Sequence, residues 1–254
     1  MILALEFPPL THIVQWPAFL FEGTPFAINK VVLVYFFGVI LTMALFLLGN
    51  QKKLVPTGMQ NLAESSVNFV EDGIVMQTMG PDGLRYTPFI MSIFFFVFFT
   101  NIFEIVPVIQ MPASARIALP MLLALTVWFV FVIVGIIKQG PFGYFKNALF
   151  PPGVPKPLYL MVAPIEFVST FLVRPFSLMV RLFANLLAGH ILLVTFTVLT
   201  AGLWVADWTA IFFPLPLFGV IFFVAFEILV SVLQAYVFAL LTGVYIDSSL
   251  HAAH

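Results

Sequence analysis

The stretch LYLMVAPIEFVSTFLVRPFSLMVRLFANLLAGHILLVTFTVLT, Leu158–Thr200, decides the fold class. It is almost wholly apolar, yet it carries Glu166, Arg174, Arg181 and His190. At ~1.5 Å rise per residue its ~40 residues reach ~60 Å as one helix. A bilayer hydrocarbon core is only ~30 Å thick. The segment is too long for one upright crossing, so it is either steeply tilted or broken. A second block, from about Thr209 to Tyr245, has the same length and leaves the same alternatives. Gly202–Trp208, with Asp207, marks the turn between them.

Three shorter spans precede these blocks. Lys30 to Leu48 is the first, ended by Asn50-Gln51-Lys52-Lys53. Pro88 to Val106, rich in phenylalanine, is the second, and Ala115 to Ile137, stopped by Lys138-Gln139-Gly140, is the third. Between the first two, Pro56 to Arg85 mixes Glu64, Asn68, Glu71 and Asp72 with Leu62, Phe69, Ile74 and Val75. That mixture predicts an amphipathic helix on the membrane surface, with a plain loop as the alternative.

Composition agrees. Of 254 residues, 62% are hydrophobic and 8% charged, against about 25% charged in a soluble domain. So few charges cannot cover a water-exposed surface. The net charge of −1 gives no sign of a nucleic-acid partner, and with no cysteine there is neither a disulfide framework nor a thiolate site. The absence of a long polar stretch predicts one membrane domain over residues 1–254. Met1 to Leu20 has Glu6, Pro8, Pro9, His12 and Pro17 and no basic start, so no cleavable signal is expected there. No internal repeat is evident, which speaks against an inverted-repeat transporter.

Basic residues set an expected orientation. Lys52, Lys53, Arg85, Lys138, Lys146 and Lys156 flank the first and third connections, and Lys30 and Arg116 lie on the other side. The bias places the first and third connections in the cytoplasm, the N-terminus outside and the C-terminus inside.

The ionisable groups at membrane depth are Glu104, Glu166, Arg174, Arg181, His190 and Glu227, with Asn101, Asn185 and Gln234 as polar companions. A charge there costs ~2.5–3.5 kcal/mol on insertion scales, which makes such groups functional candidates. At ~100° per residue, Arg181, Asn185 and Ala188 share one helix face, flanked by Ala184 and Gly189, and His190 points about 180° away. Small residues let another helix approach closely. Glu227, Ser231 and Gln234 form one stripe, with Tyr245 further along the same line. Plainer readings stand beside these. Arg174 can snorkel to headgroups. Asn101 and Gln234 can be interhelical hydrogen-bond partners, Glu166 a helix-start residue and Glu104 a surface group. His190 and Glu227 can form a neutral structural pair. Arg181 resists such a reading, because no acid lies three or four residues away and guanidinium stays charged. There is no phosphate loop or hydrolytic triad, and His12, His190, His251 and His254 lack metal-ligand spacing. His251 and His254 are expected in a frayed tail. No metal and no cofactor are expected.

Arg181-Leu182-Phe183-Ala184-Asn185-Leu186-Leu187-Ala188-Gly189-His190 resembles the signature helix of subunit a of F-type ATP synthases. Pro164-Ile165-Glu166-Phe167, Arg174-Pro175-Phe176-Ser177-Leu178, Asn101-Ile102-Phe103-Glu104-Ile105-Val106-Pro107 and the run from Glu227 to Phe238 through Gln234-Ala235-Tyr236 are similar to that family too. The resemblance covers about Pro88 to Tyr245. It implies an all-α polytopic fold: an upright N-terminal span, a surface helix, a helical hairpin and two long tilted helices curving round a ring. It implies a non-catalytic proton-channel subunit in a bacterial plasma membrane. Its implied partners are the c-ring, peripheral-stalk subunit b, other synthase subunits and membrane lipid. Arg181 is then the arginine that faces the ring carboxylates. Asn185, His190, Glu227, Gln234, Asn101 and Glu104 line the outer half-channel, and Glu166 the inner one. In some members the acid and histidine of His190 and Glu227 are exchanged, which preserves a His–carboxylate pair. Between Glu166 and Pro175 the chain is one residue longer than the family pattern, so the facing of Glu166 stays open.

Two other classes compete. A small-anion transporter would use Arg181 as a carboxylate clamp in a pocket, and an assembly factor would conduct nothing and leave the buried Arg, His and Glu without a task. The orientation is testable on its own. A cysteine at Ser65 is expected to react only from the cytoplasmic side. Labelling of Ser65→Cys by an impermeant reagent from the outside alone would reverse the topology.

Overall fold

The computed structural model describes residues 19–21, 28–49, 57–106, 116–150, 154–204 and 208–251. The readings placed on Glu6, Pro8, Pro9, His12, Pro17, Lys52, Lys53, Pro107, Asp207 and His254 lie outside the described residues. The described chain is an all-helical bundle. Helix α1 is Lys30–Gly49 and α2 is Met59–Val70. A π turn at Glu71–Val75 and a 3₁₀ segment at Gly80–Tyr86 lead into α3, Thr87–Ile102. Then come α4, Ala118–Gln139, α5, Pro141–Leu149, and α6, Tyr159–Val168. A second π turn, Ser169–Val173, joins α6 to α7, Arg174–Gly202. The last helix, α8, is Pro214–Leu250. Among the described residues, five helical stretches are long and apolar enough to cross a membrane, including Tyr159–Gly202 and Ala210–Leu250.

The two long apolar blocks are thus long helices. The first is widened by one π turn in mid-course, where Pro175 follows. A proline ring crowds the carbonyl four residues back and offers no N–H. A wider turn just before it relieves that crowding. The segment from Met59 to Tyr86 is helical almost throughout and is not a loop. Gln60, Ala63, Val70, Ile74 and Val75 are buried, and Glu64, Ser65, Asn68 and Asp72 are exposed, which is the amphipathic pattern read from the sequence. Helix α5 has no counterpart in the hydropathy reading. It starts at Gly140, whose φ of 74° turns the chain sharply after α4.

Helix α8 is the hub and packs along α3, α4 and α7. Ile90, Phe131, Leu178, Leu182, Leu186, Phe238 and Ile246 are fully buried around it. The outer surface is apolar: Phe36, Leu47, Leu122, Ile137, Leu215, Phe218 and Leu229 are all exposed. Within the apolar helices hydroxyls turn back on their own backbone. Thr42, Thr100, Thr195 and Thr242 donate to the carbonyls of Gly38, Phe96, Ile191 and Phe238. Where no water reaches, every donor must find a partner inside the segment.

His251 departs from the frayed tail expected of it: its Nδ1 lies 2.9 Å from Asp247 Oδ1, and its Nε2 4.0 Å from Asp82 Oδ2. Asp247 sits one helical turn back on α8, which fixes the ring.

Gly135 of α4 is the seat of the Tyr144 ring; a Cβ there would collide with it. Gly135→Ala is expected to cost about 1–3 kcal/mol by overpacking, read as a lower thermal midpoint of the detergent-solubilised protein. Gly143→Ala, where a Cβ meets only Gln139 Cβ at 3.7 Å, is expected to leave the midpoint unchanged.

Candidate functional site

Helix α7 sorts its residues by face. Leu178, Leu182, Leu186 and His190, each four apart, are buried against the bundle. Ala184, Asn185 and Ala188 are exposed on the other side, and Arg181 beside them is half-exposed. Among the described residues Arg181 makes no hydrogen bond and no ion pair. Its guanidinium therefore rests on an open strip of small residues. Gly189 does not belong to that strip, contrary to the sequence reading. Its missing side chain faces α8, where the Glu227 carboxylate occupies the place a Cβ would take.

His190 points the opposite way from Arg181, into the bundle. Its Nδ1 stands 3.4 Å from Glu104 Oε1. Glu104 reaches it because the chain leaves α3 in a tight turn, with Glu104 N–H donating to the Asn101 carbonyl at 3.1 Å. Asn101 is itself buried. Glu104 is 1% exposed, so it is not the surface group its place beside Pro107 allowed. Glu227, 2% exposed on α8, completes the cluster. Its carboxyl lies near the Glu104 carboxyl and the His190 ring. The cluster brings titratable groups together from the end of α3, from α7 and from α8.

Towards the other end of α8 the same stripe continues. Ser231 and Gln234 are buried. Asn185 Nδ2 donates to Gln234 Oε1 at 2.9 Å, which ties the Arg181 face of α7 to this stripe. Buried oxygen or nitrogen atoms of Glu104, Glu227, Ser231 and Gln234 have no hydrogen-bond partner among the described residues. Buried polar atoms of this kind are the ones that ordered water satisfies.

Glu166 lies elsewhere. It lines a cavity of about 260 Å³ together with Gln139, Asn147, Thr170, Arg174 and Ser249. Arg174 is held within the chain as well. Its Nη1 donates to Ser248 Oγ at 2.9 Å, and its guanidinium carbon stands 5.2 Å from the centre of the Tyr245 ring. Gln139 Nε2 donates to the Ser249 carbonyl at 2.9 Å, closing α4 onto the end of α8. The cavity wall formed by Gln139, Asn147, Ser248 and Ser249 was missed in the sequence. Its one signal was the polar run Asp247-Ser248-Ser249 at the end of an apolar block. Among the described residues no group of three metal-ligating side chains comes together.

There are thus two polar regions and a lone cation between them. Along α7, Arg181 sits about 13 Å from His190 and about 10 Å from Arg174, at ~1.5 Å per residue. The family model of the ATP synthase A chain matches residues 31–247. This chain belongs to that family. Among its relatives is ATP synthase subunit a of Rhodococcus erythropolis, 44% identical over 240 residues, which are 93% of this chain and 87% of the relative. Subunit a of Frankia alni is 39% identical over 89% of this chain and 79% of its own length. Subunit a of Hyphomonas neptunium is 42% identical over 85% and 84%.

The seat of Glu227 on Gly189 is testable by a double-mutant cycle. Gly189→Ala is expected to destabilise the protein by about 1–3 kcal/mol, since its methyl group displaces a buried carboxylate. In a Glu227→Ala background the same change is expected to cost almost nothing. Equal losses of thermal midpoint in both backgrounds would contradict the contact.

Proposed function

We propose that this chain, acting as one membrane domain, is the stationary proton channel of an F-type ATP synthase and performs no bond chemistry of its own. The observation that carries this reading is Arg181: a permanent charge without a partner among the described residues, beside a strip of small residues open to another helix. The partner that fits is a ring of small subunits, each bringing one carboxylate past that strip. Subunit b and the remaining synthase subunits complete the complex, in a bacterial plasma membrane. The basic-residue bias supports an N-terminus outside and a C-terminus in the cytoplasm.

Each site residue then has a task. Protons enter from outside through Glu104, His190 and Glu227, with Asn101, Ser231 and Gln234 ordering water. Asn185 holds Gln234 beside the Arg181 face. A ring carboxylate takes the proton there, becomes neutral, and turns out into lipid. On its return it releases the proton towards the Glu166 cavity, and the resulting anion passes Arg181. The fixed cation stabilises that anion and repels any proton crossing straight from one access path to the other. One charge crossing the membrane supplies ~2.3 kcal/mol per 100 mV, so several crossings drive each ATP. A small-anion transporter is less well supported, because Arg181 is not in the lining of the cavity that holds Glu166.

Arg181→Ala is expected to leave the complex assembled and to abolish ATP synthesis driven by an imposed proton gradient. An unpaired buried charge costs about 3–5 kcal/mol, or roughly 10²- to 10⁴-fold in rate. Arg181→Lys is expected to be strongly impaired too, because a buried lysine gives up its proton. Near-normal synthesis in membrane vesicles carrying Arg181→Ala would refute the reading.

A further inference from the structure

The far end of α8 is pinned from two sides. Gly243 receives the Thr78 side chain where a Cβ would stand, which lays α8 against the segment between α2 and α3. From α4, Gln139 Nε2 donates to the Ser249 carbonyl at 2.9 Å. The helix then stops. The His251 N–H donates to the Asp247 carbonyl at 3.1 Å, and at His251 the backbone turns extended, with φ −99° and ψ 114°. Asp247 lies four residues beyond Gly243, and Asp82 four beyond Thr78. The two carboxylates flank one imidazole: Nδ1 is 2.9 Å from Asp247 Oδ1, and Nε2 is 4.0 Å from Asp82 Oδ2.

This ring belongs to two surroundings at once. It lines the cavity of about 260 Å³ that holds Glu166, and its side chain is 55% exposed. The other titratable groups of that lining sit deeper: Tyr144 is buried, and Glu166 and Arg174 are half-buried. His251 thus stands at the cavity mouth. The chemistry of these groups differs too. A guanidinium keeps its proton, and imidazole is the side chain that loads and unloads readily near neutral pH. A carboxylate only accepts, so in the neutral ring Asp247 takes the Nδ1–H and the Nε2 lone pair stays free. At 4.0 Å, Asp82 is too far for a direct hydrogen bond to Nε2 and leaves room for a water between them. Once Nε2 is protonated, the two carboxylates offset the charge of the ring. Arg174, the cation of the lining, is turned onto Ser248 and the Tyr245 ring.

We propose that His251 is the proton-exchange residue of the Glu166 cavity, carrying protons between the bulk and the cavity water. The inference rests on the proton-channel reading and names the group at the mouth of that path. In the pumping direction a hydronium ion or a buffer acid gives its proton to Nε2: the donor's bond to hydrogen breaks as the Nε2–H bond forms. The imidazolium then passes one proton to cavity water, the excess proton moves on to the Glu166 carboxylate, and the neutral ring is restored. Synthesis runs the same steps in reverse. The cavity has room for several waters, each with a share of ~30 Å³. Asp82 and Asp247 form a negative collar, and fields of that kind raise the arrival rate of a positive donor by about 10- to 10³-fold. Hydronium is scarce at neutral pH and above, so a surface group that takes protons from buffer acids sets how fast the cavity is supplied.

The test is ATP-driven proton pumping by the whole synthase in inverted membrane vesicles, which turn the cavity mouth to the medium in the proposed orientation. The readout is the initial rate at which the membrane charges, since a permeant weak base does not discharge it. His251→Gln is expected to match the wild type in strong buffer at about pH 6, where donors are plentiful. In weak buffer at about pH 8 it is expected to pump roughly 10-fold more slowly, the low end of what a charged funnel adds to an arrival rate. Free imidazole in the medium is expected to restore most of that rate in the variant and to change the wild type little. A ring that only ends α8 or braces Asp82 would give a loss that imidazole leaves in place. Asp82→Asn keeps the ring and alters a side chain that is 78% exposed. It is expected to lower the weak-buffer rate roughly 3-fold, a part of the same funnel, and it decides the matter if His251→Gln fails to assemble. An unaltered weak-buffer rate in either assembled variant, or a loss in His251→Gln that imidazole does not repair, would overturn the proposal and leave the channel reading intact. A wild-type complex that moves no protons would instead overturn the channel reading itself.

Discussion

A guanidinium half-way along a membrane helix must be compensated, and it cannot neutralise itself by losing its proton. Most of this structure is arranged round that constraint. Among the described residues Arg181 has no acid beside it, and the carboxylates lie on other faces: Glu104 and Glu227 on the far side of α7, and Glu166 beyond the π turn. A channel built round a permanent internal ion pair would hold its arginine shut. In the proposed channel a partner arriving from outside would keep the charge available, and the exposed small residues Ala184 and Ala188 leave room for it.

The α7–α8 pair joins apolar packing and titratable groups in one helix interface. The Leu178, Leu182 and Leu186 stripe supplies the packing, and four residues further on His190 occupies the same stripe. On α8 the buried line runs Glu227, Ser231, Gln234 and Ala235, then Phe238 and Ala239. Polar and apolar contacts thus lie end to end along one seam. The packing half fixes the axial position of the two helices. That in turn places Glu227 over Gly189 and Gln234 beside Asn185.

Much of this was legible in the sequence. Span positions follow from hydropathy, because lipid leaves no other place for such runs. The opposed facing of Arg181 and His190, and the common stripe of Glu227, Ser231 and Gln234, follow from helical period alone. Contacts between helices were harder to see. Nothing local says that Glu104 reaches His190, since that depends on a tight turn at the end of α3. Gly189 read as a neighbour of the Arg181 strip because it flanks Ala188, but at ~100° per residue it already stands about 80° round from Arg181. The cavity walls draw on α4, α5 and the end of α8, segments far apart in the chain. Their polar residues looked like ordinary ends of spans.

The π turn between Glu166 and Pro175 shows why period arguments need a continuous helix. Counting in α-helical steps across it gives the wrong facing for Glu166, by about the rotation of one residue. Counting the π turn removes that error, and its position has a cause in the sequence. A proline in a membrane helix must sacrifice one backbone hydrogen bond, and the helix must also clear its ring. The π turn directly before Pro175 meets both demands at once. Pro164, inside α6, is passed in ordinary α geometry. Proline alone therefore does not produce a wide turn in this chain. The facing of everything on the N-terminal side of Arg174, Glu166 included, depends on that turn.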